Sequence, residues 1–505
     1  MTPMCFPLVR GASALALGVF LSVLAAFGCG GRRDGPPSYS GVTDVGSGSG
    51  SSSGGGAGGE GGGSSSSSGA VPEHVWSFSF GDDKEQFGQA LCADQSGNVF
   101  VTGGFDGTLN LGGTPLQSAG GGDVFLAKFD TSGAHVWSKG FGDAKTQEVY
   151  GIACDGAGAV IITGRMVGSV DFGGGLKSGL GSWSLFLAKL DATGAHVWSG
   201  VYGDGQNQRG TGLAIDSSNN ILVTGEVKKT IDFGKGAIKG PGWFLAKLDP
   251  QGAELWAKSF GTPQVVCEAS GVAVDGTDSA IITGRFDNVI DFGLGPIQGK
   301  GTETGDIYLA KFDPDGKPMW SEGYGDADNQ NVLAIAAGAD DAVAITGGFV
   351  GTVDFGGGKL EAAGKGAFDV FVAAFDLNAE HVFSMRSGSV AAQVGKAIDI
   401  DANGDAIVGG TFGGTVSFGG KLLETQGNGA AFVAKLGGDG THKWSDGFGD
   451  TGKTNGAVVR GVATDATGSV FATGSFDGKI DFGGSELVAA GASGASDVFL
   501  VKFKP

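Results

Sequence analysis

Five histidines, His74, His135, His196, His381 and His442, each stand two residues before an aromatic side chain, and four of the five have an Asp two to five residues upstream. In the stretch DATGAHVWSGVYGD (191–204) an imidazole, an indole and two carboxylates fall within fourteen residues. Those groups could serve as a general base with an orienting acid, or as a metal site. The spacing argues otherwise. Close copies run from Asp130 (DTSGAHVWSKGFGD) and Asp313 (DPDGKPMWSEGYGD), and every His occupies the same position of the copied unit. Glu254 and Pro318 take that position in the two remaining copies. A base or metal ligand needs partners within a few ångströms. One residue per repeat, on separate structural units, cannot supply them.

The acidic residues read the same way. Asp171, Asp232, Asp291, Asp354 and Asp481 recur in VDFGG-type segments, with Asn110 and Ser417 in the other two. Short side chains that cap turn amides account for them, with a ring of calcium sites as the alternative. The run from Asp401 to Asp405 imitates the start of an EF-hand loop, but Phe412 stands where the bidentate Glu belongs. No nucleophile elbow, phosphate loop or HExxH zinc motif is present. No catalytic, cofactor or metal residue is therefore assigned. The candidate binding residues lie where the copies disagree. Repeats 2 and 3 alone carry extra indoles, Trp183 and Trp243, and repeat 3 concentrates cations at Arg209, Lys228, Lys229, Lys235 and Lys239. Aromatics beside cations in an acidic chain suit a sugar, a peptide carboxylate or an acidic polymer.

The anchor dipeptide of the repeat starts at Val75, Val136, Val197, Leu255, Met319, Val382 and Lys443, with spacings of 61, 61, 58, 64, 63 and 61. Seven units thus fill everything after residue 73. Each holds four short runs of β composition, such as YGIACD, AVIITG, LFLAKLD and HVWSKGF, and none shows a sustained helical stripe. Asp-x-x-Gly turns (Asp94 to Gly97, Asp155 to Gly158, Asp191 to Gly194) join the runs as hairpins. A Gly closes the second run in all seven units: Gly103, Gly164, Gly225, Gly284, Gly347, Gly410 and Gly474. That invariance within one chain implies a close approach that a Cβ would block. The fold expected is all-β, a seven-bladed β-propeller of four-stranded blades. The first Trp run, Val75–Phe80, lacks a blade and the last blade lacks a fourth strand, so pairing them closes the ring.

The unit GIACDGAGAVIITG…SVDFGGG…LFLAKLDATGAHVWS resembles the bacterial SBBP-type β-propeller repeat, found in secreted and surface proteins, over residues 74–505. The resemblance implies a fold and brings no reaction and no catalytic residues. LDATGAHVW also resembles the Trp-docking motif of quinoprotein propellers, but its Asp-to-Gly spacing is one residue shorter; no cofactor is expected.

The bulk numbers set the address and exclude partners. With 33 Lys and Arg against 53 Asp and Glu, the net charge of −20 disfavours nucleic acid and anionic lipid. Residues 1–28 read as a lipoprotein-type signal peptide: Arg10, an apolar run, then LAAFGC ending at Cys29, the expected lipidation site. An ordinary signal peptide or an uncleaved anchor is the alternative. Residues 29–73 form a Gly/Ser-rich linker with a root-mean-square reach of roughly 35–40 Å. Cys92 and Cys154 sit two and one residues before their turn Asp, on opposite faces of equivalent strands, which argues against a disulfide between them; Cys267 belongs to no recognisable pair. The reading is a monomeric propeller, anchored at the outer membrane or cell surface through lipid alone, or else secreted, that binds a protein or glycan ligand. The alternative is a carbohydrate-active lyase or hydrolase using loop carboxylates.

Overall fold

In the third strand of each unit, for instance Asp123–Phe129 or Ser184–Leu190, every residue is buried, apart from the half-buried Gly242 that opens this strand in unit 3. Strands apolar on both faces demand sheets on both sides, and a ring of stacked blades provides them. The computed structural model describes residues 71–261, 267–301, 304–338, 342–425, 429–449, 456–491 and 494–505. The signal-peptide, lipidation and most of the linker expectations (residues 1–70, Cys29 included) lie outside the described residues.

The ring is the seven-bladed propeller expected. Blade 1 orders its strands Gln86–Ala93, Val99–Phe105, Asp123–Phe129 and His135–Phe141 from the axis outward, all antiparallel. Blades 2 to 6 repeat this order from innermost strands beginning at Gln147, Gln208, Cys267, Gln330 and Gln393. Blade 7 takes Ala457–Thr464, Val470–Phe476 and Asp497–Phe503 from the C-terminal end and His74–Phe80 from the N-terminal end. His74 pairs with Phe503 and Phe80 with Val498, closing the ring. Seven apolar clusters fill the seven blade interfaces; the one across the closure joins Val99 and Phe125 of blade 1 to Phe471 and Leu500 of blade 7. The Gly-rich connection from second to third strand forms an extra two-stranded ribbon, as in Ser169–Asp171 with Leu176–Ser178. That ribbon was not foreseen.

The invariant glycine has a geometric cause. A Cβ on Gly103 would lie 1.9 Å from the Phe87 carbonyl oxygen, and on Gly474 1.8 Å from that of Val458. The other five meet the equivalent carbonyl at 1.9 to 2.1 Å. Two residues beyond that carbonyl each innermost strand skips one residue in its pairing. The seven bulged residues are Gln89, Tyr150, Thr211, Ser270, Leu333, Lys396 and Arg460. A bulge re-aims a side chain, here on the strand that lines the axis of the ring.

A second repeated device, complete in blades 1 to 4, clamps a blade to the next on the opposite face. A Lys near the end of the third strand pairs with the turn Asp of its own blade: Lys189 with Asp155 at 2.8 Å, Lys247 with Asp216 at 2.9 Å, Lys311 with Asp275 at 2.6 Å. The same Lys, together with the outer-strand Trp, points at one carbonyl of the following blade. Lys311 Nζ and Trp320 Nε1 both donate to the Leu377 oxygen, at 3.4 and 2.8 Å. Burial would raise the Asp275 pKa, but hydrogen bonds from Lys311 and Thr277 outweigh it and hold the carboxyl below its ordinary range. Blade 5 lacks all three members at once, with Gly338, Ala374 and Phe383 in place of Asp, Lys and Trp.

One expectation is overturned. Cys92 and Cys154 form a disulfide, with Cα atoms 5.9 Å apart. Cys92 pairs across its sheet with Phe100, and Cys154 with Val160; all four belong to the cluster between blades 1 and 2. Opposite faces of equivalent strands are the faces that two neighbouring blades turn toward each other. The observation that argued against the bond is the one it requires.

Two outcomes follow from these clamps. Lys311→Met alone strands a buried carboxylate and should cost about 3–5 kcal/mol. Lys311→Ala combined with Asp275→Gly, the combination blade 5 carries naturally, should cost clearly less; urea midpoints of the three proteins check this. Replacing Cys92 and Cys154 by Ala should lower stability by about 2–4 kcal/mol for a cross-link spanning 62 residues. Reductant should bring the parent protein to the same midpoint.

Candidate functional site

The repeat-wide residues resolve into structure first. Each of the five imidazoles places Nε2 3.0 Å from the Ser hydroxyl three residues on, at the outer edge of its own blade. The VDFGG carboxylates accept backbone amides two and, except at Asp481, four residues ahead, as Asp171 does from Gly173 and Gly175 at 2.7 and 2.9 Å. Asp401 accepts from Asn403 and Asp405 amides and pairs with Lys435 at 2.7 Å. Among the described residues, no group of three or more His, Cys, Asp or Glu could hold a metal ion.

What differs between blades converges at the mouth of the channel, on the face where each innermost strand begins. There the second residue of the innermost strand faces the residue after the invariant glycine. Blades 2, 3 and 4 fill these two positions with opposite charges: Glu148 opposite Arg165, Arg209 opposite Glu226, Glu268 opposite Arg285. The other blades hold Phe87 with Gly104, Asn331 with Gly348, Val394 with Thr411 and Val458 with Ser475. The charge order alternates around three consecutive blades, and these two positions are uncharged in the other four.

The arrangement is tightly held. Arg165 Nε lies 2.7 Å from Glu148 Oε2, and its guanidinium stacks over the Trp183 ring at 4.0 Å. The Tyr150 hydroxyl donates to the same Glu148 oxygen. Two guanidinium groups, those of Arg165 and Arg209, each lie 5.7 Å from the Tyr150 ring centroid. Arg209 Nη2 donates to Glu226 at 2.7 Å. Burial, then the Glu148 charge, pushes the Tyr150 phenol up, so it stays a neutral donor. Burial favours loss of the Arg209 proton, but Glu226 and Tyr150 hold it. Burial and then Glu226 raise the Glu268 carboxyl, against Arg209 and Arg285. The Nε atoms of Arg209 and Arg285 are buried without a hydrogen-bond partner. Preformed donors thus stand beside half-buried aromatic faces.

The structure splits the residues picked out from sequence. Trp183 and Arg209 belong to the mouth. Trp243 does not: it is fully buried between blades 3 and 4, stacked 4.5 Å from Phe260 and 5.4 Å from Tyr308. It sits one place inside the third strand, where every blade buries its side chain. Lys228 and Lys229 lie exposed at the turn after the second strand of blade 3. Lys235 runs down the outer edge, donating to the Leu255 carbonyl at 3.0 Å, and Lys239 is exposed on the ribbon. The cation cluster read from sequence is therefore dispersed. Sequence reasoning missed Glu148, Tyr150, Arg165, Glu226, Glu268 and Arg285. Their signal was present: the glycine is followed by Arg, Glu and Arg in repeats 2 to 4 and never by a charge elsewhere.

An open cleft of about 420 Å³ lies between blades 3 and 4 on the opposite face, lined by Asp216, Lys247, Trp256 and Pro314. These are members of the interblade clamp, already bonded to one another. No helix among the described residues is long and apolar enough to cross a membrane.

Comparison with known proteins adds little beyond the fold. No family model matches the chain. It is similar to the regulatory protein FlaEY of Caulobacter vibrioides, 26% identical over 446 residues, covering 80% of this chain and 44% of that protein. It is similar to the uncharacterized WD repeat-containing protein L264 of Acanthamoeba polyphaga mimivirus, 26% identical over 200 residues, covering 32% of this chain and 14% of that one. The chain thus spans less than half the length of either curated relative. Among solved structures, the WD40 domain of Pan2 from Neurospora crassa matches at a TM-score of 0.42 and 11% identity, covering 83% of this chain and 91% of that one.

Proposed function

We propose that the protein is a binding module of the cell surface, displayed through a lipidated Cys29, whose channel mouth over blades 2 to 4 receives a protein segment. The observation that carries this reading is the stack of Arg165 on Trp183 beside Tyr150 and Arg209. Trp, Tyr and Arg are the side chains that dominate protein interfaces, because they bury large area at low entropic cost while keeping directional donors. The alternating Glu and Arg pairs suit a peptide carrying both charge signs more closely than a neutral glycan. Glu148 and Glu226 each accept from a guanidinium at 2.7 Å, so neither stands ready as a general acid. That weighs against the lyase or hydrolase alternative. The Cys92–Cys154 disulfide supports export, since such bonds persist in oxidising compartments. The SBBP-type resemblance supports the same address.

Two experiments test the two halves. A labelled propeller should bind a subset of a charged-peptide array, and Trp183→Ala or Arg165→Ala should weaken it by about tenfold or more, the scale of a lost anchor residue. Equal binding by the variants removes the mouth from the proposal. Binding to a glycan array instead, with turnover lost in Glu268→Gln, establishes the enzyme alternative. In cells, an alkynyl fatty acid should label the protein and should not label Cys29→Ser; absence of label in the parent excludes the anchor.

A further inference from the structure

The seven bulged residues ring the axis, and those of blades 2 to 4 differ from those of blades 6 and 7. On blades 2 to 4 the protein satisfies them itself. The Tyr150 hydroxyl donates to Glu148, Thr211 Oγ1 to the Ala269 carbonyl at 2.9 Å and Ser270 Oγ to the Val332 carbonyl at 2.7 Å. On blades 6 and 7 the bulges aim Lys396 and Arg460, adjacent cations on neighbouring innermost strands. Neither makes an ion pair or hydrogen bond within the described residues, and Arg460 Nε is fully buried without a partner. The Phe87 ring lies 5.4 Å from the Arg460 guanidinium carbon. Glu85 is the carboxylate whose charge reaches Arg460, and it already accepts from the Ser496 hydroxyl at 2.7 Å.

Two half-buried cations without an ion pair among the described residues are costly in any protein, and more conspicuous in one of net charge −20. Their repulsion is visible: burial, then Arg460, pushes the Lys396 ammonium down to about 8. Guanidinium presents a fork and ammonium three rotatable donors, a combination suited to an oxyanion.

We propose that Lys396 and Arg460 form an anion site within the central channel that takes the phosphate or carboxylate group of a small ligand. The site goes beyond the mouth on blades 2 to 4 and shares no residue with it. An anion there completes the Arg460 donor set and removes the repulsion between the two cations. Because a bound anion stabilises only the folded ring, occupancy reads out as thermal stability.

The test titrates the full-length protein with inorganic phosphate in one arm and succinate in the other, against sodium chloride of matched ionic strength. Melting temperature and the Cε resonance of isotope-labelled Lys396 are followed. A saturable rise in melting temperature with a shift of that resonance is expected in at least one arm, and the arm that responds identifies the group. Arg460→Met should weaken the apparent affinity by about tenfold, the scale of one charge-assisted hydrogen bond. Lys396→Met with Arg460→Met should abolish the response, and in anion-free buffer should melt no lower than the parent. Trp183→Ala should respond as the parent does, so that failure of the mouth proposal leaves this result intact. A response that survives in the double variant, or no saturable response in either arm, overturns the site.

Discussion

A carbonyl oxygen seated where a side chain would have to begin governs this molecule. In every blade the second residue of the innermost strand lays its oxygen about 2 Å from the point where the invariant glycine would carry a Cβ. Any other residue would push the two inner strands apart. The contact holds the strand pair together while the pairing skips one residue, and the skip turns the next side chain toward the axis. One achiral position per repeat therefore creates seven inward-facing slots. The following residue of the innermost strand is Ala or Gly in all seven blades (Ala90, Gly151, Gly212, Gly271, Ala334, Ala397 and Gly461). A Cβ on Gly461 would lie 3.0 Å from Ala90, and one on Gly212 3.0 Å from Gly271. The ring can close this tightly only because those side chains are minimal. The slots are thus a by-product of close packing, free to carry whatever chemistry the remaining positions tolerate.

Stability is supplied at the other face, and there the blades are nearly interchangeable. The Lys, Asp and Trp of the clamp form one cooperative unit. Lys is buried only because Asp neutralises it, and the Trp and Lys both donate to a single carbonyl of the next blade. Such a unit has no stable half-way form, since an unpaired buried charge costs more than the pair contributes. Blade 5 illustrates the constraint: it has lost all three members together and fills the space with Ala374 and Phe383, both buried. Its turn also holds Ala379 in the left-handed region at φ 64°, where most blades use glycine. The ring tolerates one such blade because the Cys92–Cys154 bond, the apolar clusters and the N-terminal strand hold the remaining interfaces.

The architecture was legible in the sequence because it is written seven times. Strand order, turn chemistry, the closing strand and the close-approach glycine all follow from features that repeat, and chance agreement between copies is small. The sites were less legible because they are written once. Trp243 illustrates the difficulty: an unusual residue in one repeat can be a local answer to packing, here against Phe260 and Tyr308, as easily as a binding anchor. The cations of repeat 3 fall in one repeat but lie on the innermost strand, a turn and the outer ribbon. The disulfide failed for a different reason. Reasoning about one strand's two faces is sound, but in a ring the neighbour presents its opposite face, so the rule inverts between blades. The aligned pairs Glu148–Arg165, Arg209–Glu226 and Glu268–Arg285 needed only the register of the first two strands, which repeat alignment contains in principle.

The division of labour between the two faces explains how a nearly symmetric scaffold can hold an asymmetric surface. Substitutions on the clamp face disturb a blade interface and are coupled in threes. Substitutions at the mouth and in the axial slots reach at most an adjacent blade, as Thr211 does through the Ala269 carbonyl, and leave the backbone there fixed by glycine and carbonyl. Charge can therefore accumulate on blades 2 to 4 as ion-paired groups, Arg285 pairing with Asp287, and on blades 6 and 7 as cations with no ion pair among the described residues. The physical distinction between them is satisfaction. The first group has most of its donors and acceptors paired internally and presents a preformed, nearly neutral surface to a partner. The second has no ion pair or hydrogen bond among the described residues, and the anion proposed above would complete it.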